Sequence, residues 1–181
     1  MDERETTLRL VKILRLLWAA GFLVACDAAE EASTTPEEQL SGRWTLAYMD
    51  VLDSLGNARP YMGGMRGSLL YHPSGFMSLH LTPENYPDSV GSFSNFDSIQ
   101  PLGRLKHLAN FYSYTGSYRI ENDSVLLHRS IMHSNPMEWN RDSRRAFRLS
   151  GDSLFMRPLA KGLERIRLLW IKDTRPSGST S

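Results

Sequence analysis

A chain of 181 residues with 41% hydrophobic and 23% charged residues has room for one ordinary domain with a packed core plus short extensions, which excludes wholesale disorder. A formal net charge of +1 argues against the dense basic footprint of a nucleic-acid binder. A single cysteine excludes an internal disulfide and any metal cluster built on cysteines.

The charge is unevenly spread. Residues 1–25 hold four bases (Arg4, Arg9, Lys12, Arg15) and three acids (Asp2, Glu3, Glu5), and residues 26–38 hold five acids and no base. From residue 39 onward 17 bases face 12 acids, a surplus compatible with an anionic ligand or a headgroup surface.

In chain order, the first feature is the run Leu16–Ala25, apolar throughout and preceded by bases. About ten residues is too short for a bilayer span, which needs roughly 20, but it suits the hydrophobic part of a signal peptide. Leu23-Val24-Ala25-Cys26 matches the bacterial lipobox, so residues 1–25 are expected to be removed and the Cys26 thiol to carry a diacylglycerol. Acyl chains bury methylenes worth about 0.8 kcal/mol each, and two or more hold a soluble domain on a membrane. This places the domain in a bacterial envelope, on a membrane facing the periplasm or the exterior. A type I signal with an incidental cysteine and a single-span anchor are the alternatives. Residues 26–39, acidic, small and poor in apolar side chains, are expected to form a flexible tether.

Strand patterns then dominate residues 40–173. Trp44, Leu46 and Tyr48 alternate with polar or small neighbours. Two strands flank Pro73-Ser74-Gly75, with Leu69, Tyr71, Met77, Leu79 and Leu81 on one face. A short helix is expected within "DSIQPLGRLKHLANF", where Leu102, Leu105 and Leu108 form a stripe. Asp97 or Ser98 is its expected cap, and Pro101 falls in its first turn.

Next comes a hairpin turning at 121–124. Pairing Ile120 with Val125 places Tyr112, Tyr114, Gly116, Tyr118, Val125, Leu127, Arg129, Ile131 and His133 on the inner face. A third hairpin turns at Gly151-Asp152 with Phe147, Leu149, Leu154 and Met156 together, and "ERIRLLWIK" closes the domain through Ile166, Leu168 and Trp170. Residues 174–181 are expected to be a disordered tail. Eight short strands at hairpin spacing argue for an all-β fold. The expected architecture is an eight-stranded antiparallel up-and-down barrel, with the helix between strands three and four. Such a barrel is filled by side chains or holds one small ligand.

The segments "LSGRWTL", "GSLLYHPSGFMS", "YSYTGSYRI", "RAFRLSGDSL" and "LLWIK" resemble the bacterial lipocalin-like domain family, with its G-x-W start, Y-x-P-x-G-x-M-S hairpin and Y-x-G-x-Y strand. The resemblance implies a lipocalin-like barrel and little about activity. Lipocalins proper carry small hydrophobic molecules, and some barrel relatives are cyclases or isomerases.

The candidate ligand-binding residues are Tyr71, Tyr112, Tyr114, Tyr118, Arg129 and His133. Buried phenols need polar partners. An inward Arg129 opposite Gly116 would need an anion, which a ligand carboxylate or phosphate could supply. His128 and His133, five apart, should face opposite sides unless a bulge intervenes. No metal site, cofactor or catalytic residue is implied. The leading reading is a membrane-anchored protein that binds a small hydrophobic or amphipathic molecule. An isomerase or cyclase using a tyrosine or His133, and an envelope module with a filled barrel, are the alternatives, and the oligomeric state is open.

Overall fold

In the computed structural model, residues 34–86 and 100–174 are described, with backbone only for 106–108. The lipobox with Cys26, the signal segment, residues 26–33 of the expected tether, the caps Asp97 and Ser98, and the tail beyond 174 lie outside the described residues.

The folded part begins with a single helical turn, α1 (Pro36–Leu40). Thr35 Oγ1 accepts from the Glu38 amide at 3.3 Å, and Glu38 Oε2 accepts from the Thr35 amide at 2.8 Å. This is a capping box with proline at the first helical position. Residues 36–39 therefore do not belong to a free tether. Their turn delivers Leu40, fully buried, into the core. Trp44 Nε1 donates to the Leu40 carbonyl at 2.8 Å, and Lys172 Nζ donates to the Gln39 carbonyl at 2.8 Å.

Among the described residues there are nine strands: β1 (Gly42–Leu52), β2 (Ala58–Pro60), β3 (Met65–Tyr71), β4 (Phe76–Pro83), β5 (Tyr112–Asn122), β6 (Val125–His133), β7 (Asp142–Ser150), β8 (Ser153–Pro158) and β9 (Ile166–Lys172). Each pairs antiparallel with its neighbour, and β9 returns to β1 from Trp44↔Lys172 to Val51↔Ile166. Eight strands thus close a barrel and leave no long open edge. The short β2 is an extra piece paired only to the end of β1. The helix α2 (Pro101–Asn110) joins β4 to β5, the third and fourth strands of the barrel, with Pro101 at its start. Its N-cap is Gln100, which makes no side-chain cap bond. Leu102 and Leu105 are exposed, so the expected stripe is not buried over its first two positions.

Most of the expected inner face is found. Leu69, Tyr71, Met77, Leu79, Leu81, Phe147, Leu154, Met156, Ile166, Leu168 and Trp170 are all buried in one cluster. Full burial of an apolar side chain stabilises by about 1.5–3 kcal/mol. At the end where β1 begins, Leu40, Trp44, Tyr71 and Met77 are completely buried and close the barrel. Tyr118 packs on Tyr71 with ring centroids 4.5 Å apart and donates its hydroxyl to the His72 carbonyl at 3.2 Å.

Three irregularities break the alternation of side chains. Ala47 is an extra residue between Leu46↔Trp170 and Tyr48↔Leu169. The bulge turns Tyr48 outward, against the expected alternation, and lets Met49 pack on the core instead. The other two lie in the β5–β6 hairpin and decide the chemistry of the interior.

Candidate functional site

Asn122 pairs with Val125, and Ile120 pairs with Leu126, leaving Glu121 as an extra residue. The expected Ile120–Val125 pairing is therefore off by one, and a one-residue slip exchanges the two faces of a strand. Leu126, His128 and Ser130 are buried. Arg129 points outward with its side chain half exposed, and its Nη1 lies 3.4 Å from Asp142 Oδ1. The expectation of an inward Arg129 is corrected by this register.

The bulged Glu121 explains the slip. Its carboxylate takes two bonds from Arg144, at 2.7 and 3.0 Å, and one from Arg119 at 3.2 Å. Further along, Thr115↔Met132 is followed by Gly116↔Ser130, so Ile131 is also extra. This second bulge exchanges the faces again. Ile131 is exposed rather than inward, and His133 is buried as expected. Two histidines five apart thus share the interior, which simple alternation forbids.

His128 is fully buried between two phenols. Its Nε2 is 2.7 Å from Tyr71 Oη, and its Nδ1 is 2.7 Å from Tyr114 Oη. Burial holds the His128 pKa well below the ordinary imidazole value, helped by the nearby Arg145 charge. Burial likewise raises Tyr71 well above the usual phenol value and pushes Tyr114 up to about 12. The trio is therefore neutral at neutral pH, one phenol donating to the ring and the other accepting from it.

The cation beside it is Arg145, on β7. Its Nη1 donates to Ser143 Oγ at 2.7 Å, and its guanidinium carbon lies 5.8 Å from the centre of the Tyr114 ring. Its charge also bears electrostatically on Tyr112. Among the described residues no carboxylate forms an ion pair with it. Arg145 precedes Phe147 by two on a strand whose inward set the sequence marks, so period-two alternation was the signal that could have identified it.

His133 completes the group. Its ring stacks on Tyr114, centroids 5.4 Å apart and planes 4° apart, and meets Tyr112 edge-on at 4.8 Å. Its Nδ1 accepts from the Asn135 amide at 2.8 Å, so the neutral ring carries its proton on Nε2. That Nε2 is buried with no partner among the described residues, as is Trp170 Nε1. Burial also lowers the His133 pKa, partly opposed by Glu138. Trp139, expected as an anchor of its loop, donates Nε1 to the His133 carbonyl at 2.8 Å.

The cluster has a clear polarity along the barrel. Tyr112 opens β5, His133 ends β6 and Arg145 lies near the start of β7. In an antiparallel barrel these positions share one end, opposite the end closed by α1 and Trp44. Tyr112 is 41% exposed and stands at the rim. Of the expected site residues, the fold therefore gathers Tyr112, Tyr114 and His133 toward the rim. It places Tyr71 deeper and Tyr118 at the closed end, and it excludes Arg129. His128 and Arg145 are the residues the sequence reading missed.

The histidines predict a pH dependence. In the unfolded chain they titrate near 6.5, whereas the folded state resists their protonation. The unfolded state then binds more protons below about pH 6.5, so stability is full above that pH and falls as the pH drops toward the folded-state values. For His128 the loss approaches about 1.4 kcal/mol per pH unit. Urea midpoints at pH 7 and pH 5 should differ more for the wild type than for His128→Leu; parallel midpoints in the two proteins would overturn the assignment.

Among the described residues no group of three His, Cys, Asp or Glu is placed to hold a metal ion. An open cleft of about 240 Å³, lined by residues that include Tyr48, Phe155, Arg148, Arg157 and Arg167, also occurs. Arg148 stacks over Phe155 there at 4.3 Å, and Tyr48 and Arg148 are exposed side chains of the outer wall.

No curated protein matches the chain significantly. The model of the lipocalin-like domain matches residues 41–174, the span from just before β1 to just after β9. With the closed eight-stranded antiparallel barrel established independently, the chain belongs to the lipocalin-like domain family.

Proposed function

We propose that this protein binds a small hydrophobic or amphipathic molecule in its barrel while a lipid on Cys26 holds it to a membrane of the bacterial envelope. The supporting observation is the division of the interior into two parts. Leu40, Trp44 and Met77 close the α1 end together with the packed pair Tyr71 and Tyr118, whereas toward the opposite end Tyr112, Tyr114, His133 and Arg145 gather around a buried donor that has no partner among the described residues. Binding sites are commonly apolar pockets with a few convergent polar groups. A barrel used only as a scaffold gains nothing from a buried donor without an acceptor, which costs about 1–3 kcal/mol.

Nothing in the cluster favours an enzyme over a binding protein. Both nitrogens of His128 are taken by tyrosines, and His133 Nδ1 is taken by a backbone amide. Neither ring offers a free lone pair as a general base.

The binding reading is tested by titrating the purified barrel with a neutral naphthylamine fluorophore. Saturable enhancement, reversed by apolar competitors, is expected. No enhancement from the probe, together with no small molecule in native mass spectra of protein from its own cells, would sink the reading.

The anchor is tested separately. Cells grown with labelled palmitate should incorporate the label into the wild type, whereas Cys26→Ser should accumulate as unlabelled precursor. Equal labelling of the two would exclude the lipoprotein. No helix among the described residues is long and apolar enough to cross a membrane.

A further inference from the structure

The geometry points to a monoanionic amphiphile, a carboxylate with a hydrocarbon tail, whose acid group sits between Arg145 and the Nε2–H of His133 at the rim end of the barrel. This deepens the binding reading above and rests on it. Three observations support it.

The first is charge. Arg145 is half-buried, and a guanidinium stays cationic at any ordinary pH. Its hydrogen-bond partners among the described residues are neutral oxygens, Ser143 Oγ at 2.7 Å and the Ser143 carbonyl at 3.5 Å. Nearby Glu138, an exposed acid, bears electrostatically on Tyr112 and His133, but forms no ion pair with Arg145. A desolvated charge held only by neutral groups is costly, and a paired one is not.

The second is donor alignment. His133 has one ring proton, fixed on Nε2 by the amide bonded at Nδ1, and among the described residues no acceptor meets it. Tyr112 lies edge-on to His133 with ring centroids 4.8 Å apart, and the Arg145 charge bears on its hydroxyl. Tyr114 also bridges them, stacked on His133 and lying 5.8 Å below the guanidinium. Two donors on one aromatic platform suit the two oxygens of a carboxylate, whose charge-assisted bonds are the stronger kind.

The third is the surrounding polarity. The phenols and imidazoles of the cluster are neutral, so the exposed Glu138 is the acid that opposes an anion there. Leu79 and Leu81 on the adjoining strand β4 are buried, and supply apolar wall beside Tyr114 and Tyr112.

The experiment displaces the neutral fluorophore with three ligands that share one tail: decanoate, decanol and decylamine. Wild type should prefer decanoate over decanol by about tenfold or more, with decylamine weakest. Arg145→Met should weaken decanoate about thirtyfold, the ratio for about 2 kcal/mol, and leave decanol unchanged. Arg145→Lys should retain part of the preference, which separates charge from a fold defect. Equal displacement by decanoate and decanol in the wild type overturns the acid site and leaves the binding reading intact. If neither the fluorophore nor any of the three ligands binds, the binding reading fails and the acid site with it.

Discussion

Gly116→Ala is expected to cost the domain about 3 kcal/mol, lowering the melting midpoint by roughly 10 °C. A β-carbon built at Gly116 would stand 1.9 Å from the Arg129 carbonyl oxygen and 3.0 Å from the Ile131 amide nitrogen. Both obstacles are backbone, and both belong to the bulge that admits Ile131 between Gly116↔Ser130 and Thr115↔Met132. The clash cannot be relieved by a rotamer change. β5 and β6 would have to separate, or the bulge would have to be expelled, turning His133 out of the interior. Gly67→Ala provides the comparison. Its nearest obstacle is the Leu81 Cδ2 atom at 2.5 Å, the end of a flexible side chain, although the His80 carbonyl at 3.0 Å limits the relief. A cost of about 1–2 kcal/mol is expected there. Thermal melts of both variants test the ranking, and a Gly116→Ala protein at least as stable as Gly67→Ala would show that the bulge does not approach as closely as described.

The same bulges mark where the interior stopped being legible from the sequence. Period-two alternation identified the inner face of β3, β4, β7, β8 and β9, because those strands pair without an irregularity among themselves. The hairpin turns at Gly75 and Gly151 were readable because each places glycine at positive φ, 82° and 55°, a conformation other residues resist. In β1, Ala47 adds one residue, and Tyr48, read as inward, lies outside. In β5–β6 the extra residue is Glu121. A turn at 121–124 looks natural from composition, but Glu121 is drawn to Arg144 and Arg119, and the turn moves one residue on. Nothing local in the sequence announces an ion pair to a strand 23 positions away.

Two errors of register then partly offset one another. The slip at Glu121 turned Arg129 out and His128 in, and the bulge at Ile131 restored His133 to the inside. Arg145 was legible by alternation from Phe147 and Leu149, since both are inward on β7. The tether boundary was readable too: Thr35-Pro36-Glu37-Glu38 carries the spacing of a capping box, yet its acidic composition suggested solvated chain.

The other large effect concerns His128. His128→Leu should destabilise the protein by about 3–5 kcal/mol. The substitution strands the hydroxyls of Tyr71 and Tyr114, both fully buried and both bonded only 2.7 Å from the ring. Each hydroxyl left without a partner costs about 1–3 kcal/mol, whereas replacing a whole polar set by apolar groups of similar shape can be nearly neutral. Adding Tyr71→Phe and Tyr114→Phe to His128→Leu should therefore recover at least about 2 kcal/mol, although the triple variant removes more polar groups than the single one. The coupling energy is the cost of the triple variant minus the costs of His128→Leu and of the double tyrosine variant, and such energies of about 0.5–3 kcal/mol in magnitude mark residues that act as one network. Urea unfolding at pH 7 of the single, the double tyrosine and the triple variants measures it. Costs that simply add would mean that the three side chains pack as independent groups. A triple variant more stable than His128→Leu would identify the tyrosine–imidazole–tyrosine bridge as one polar unit, its members buried together because none can be buried alone.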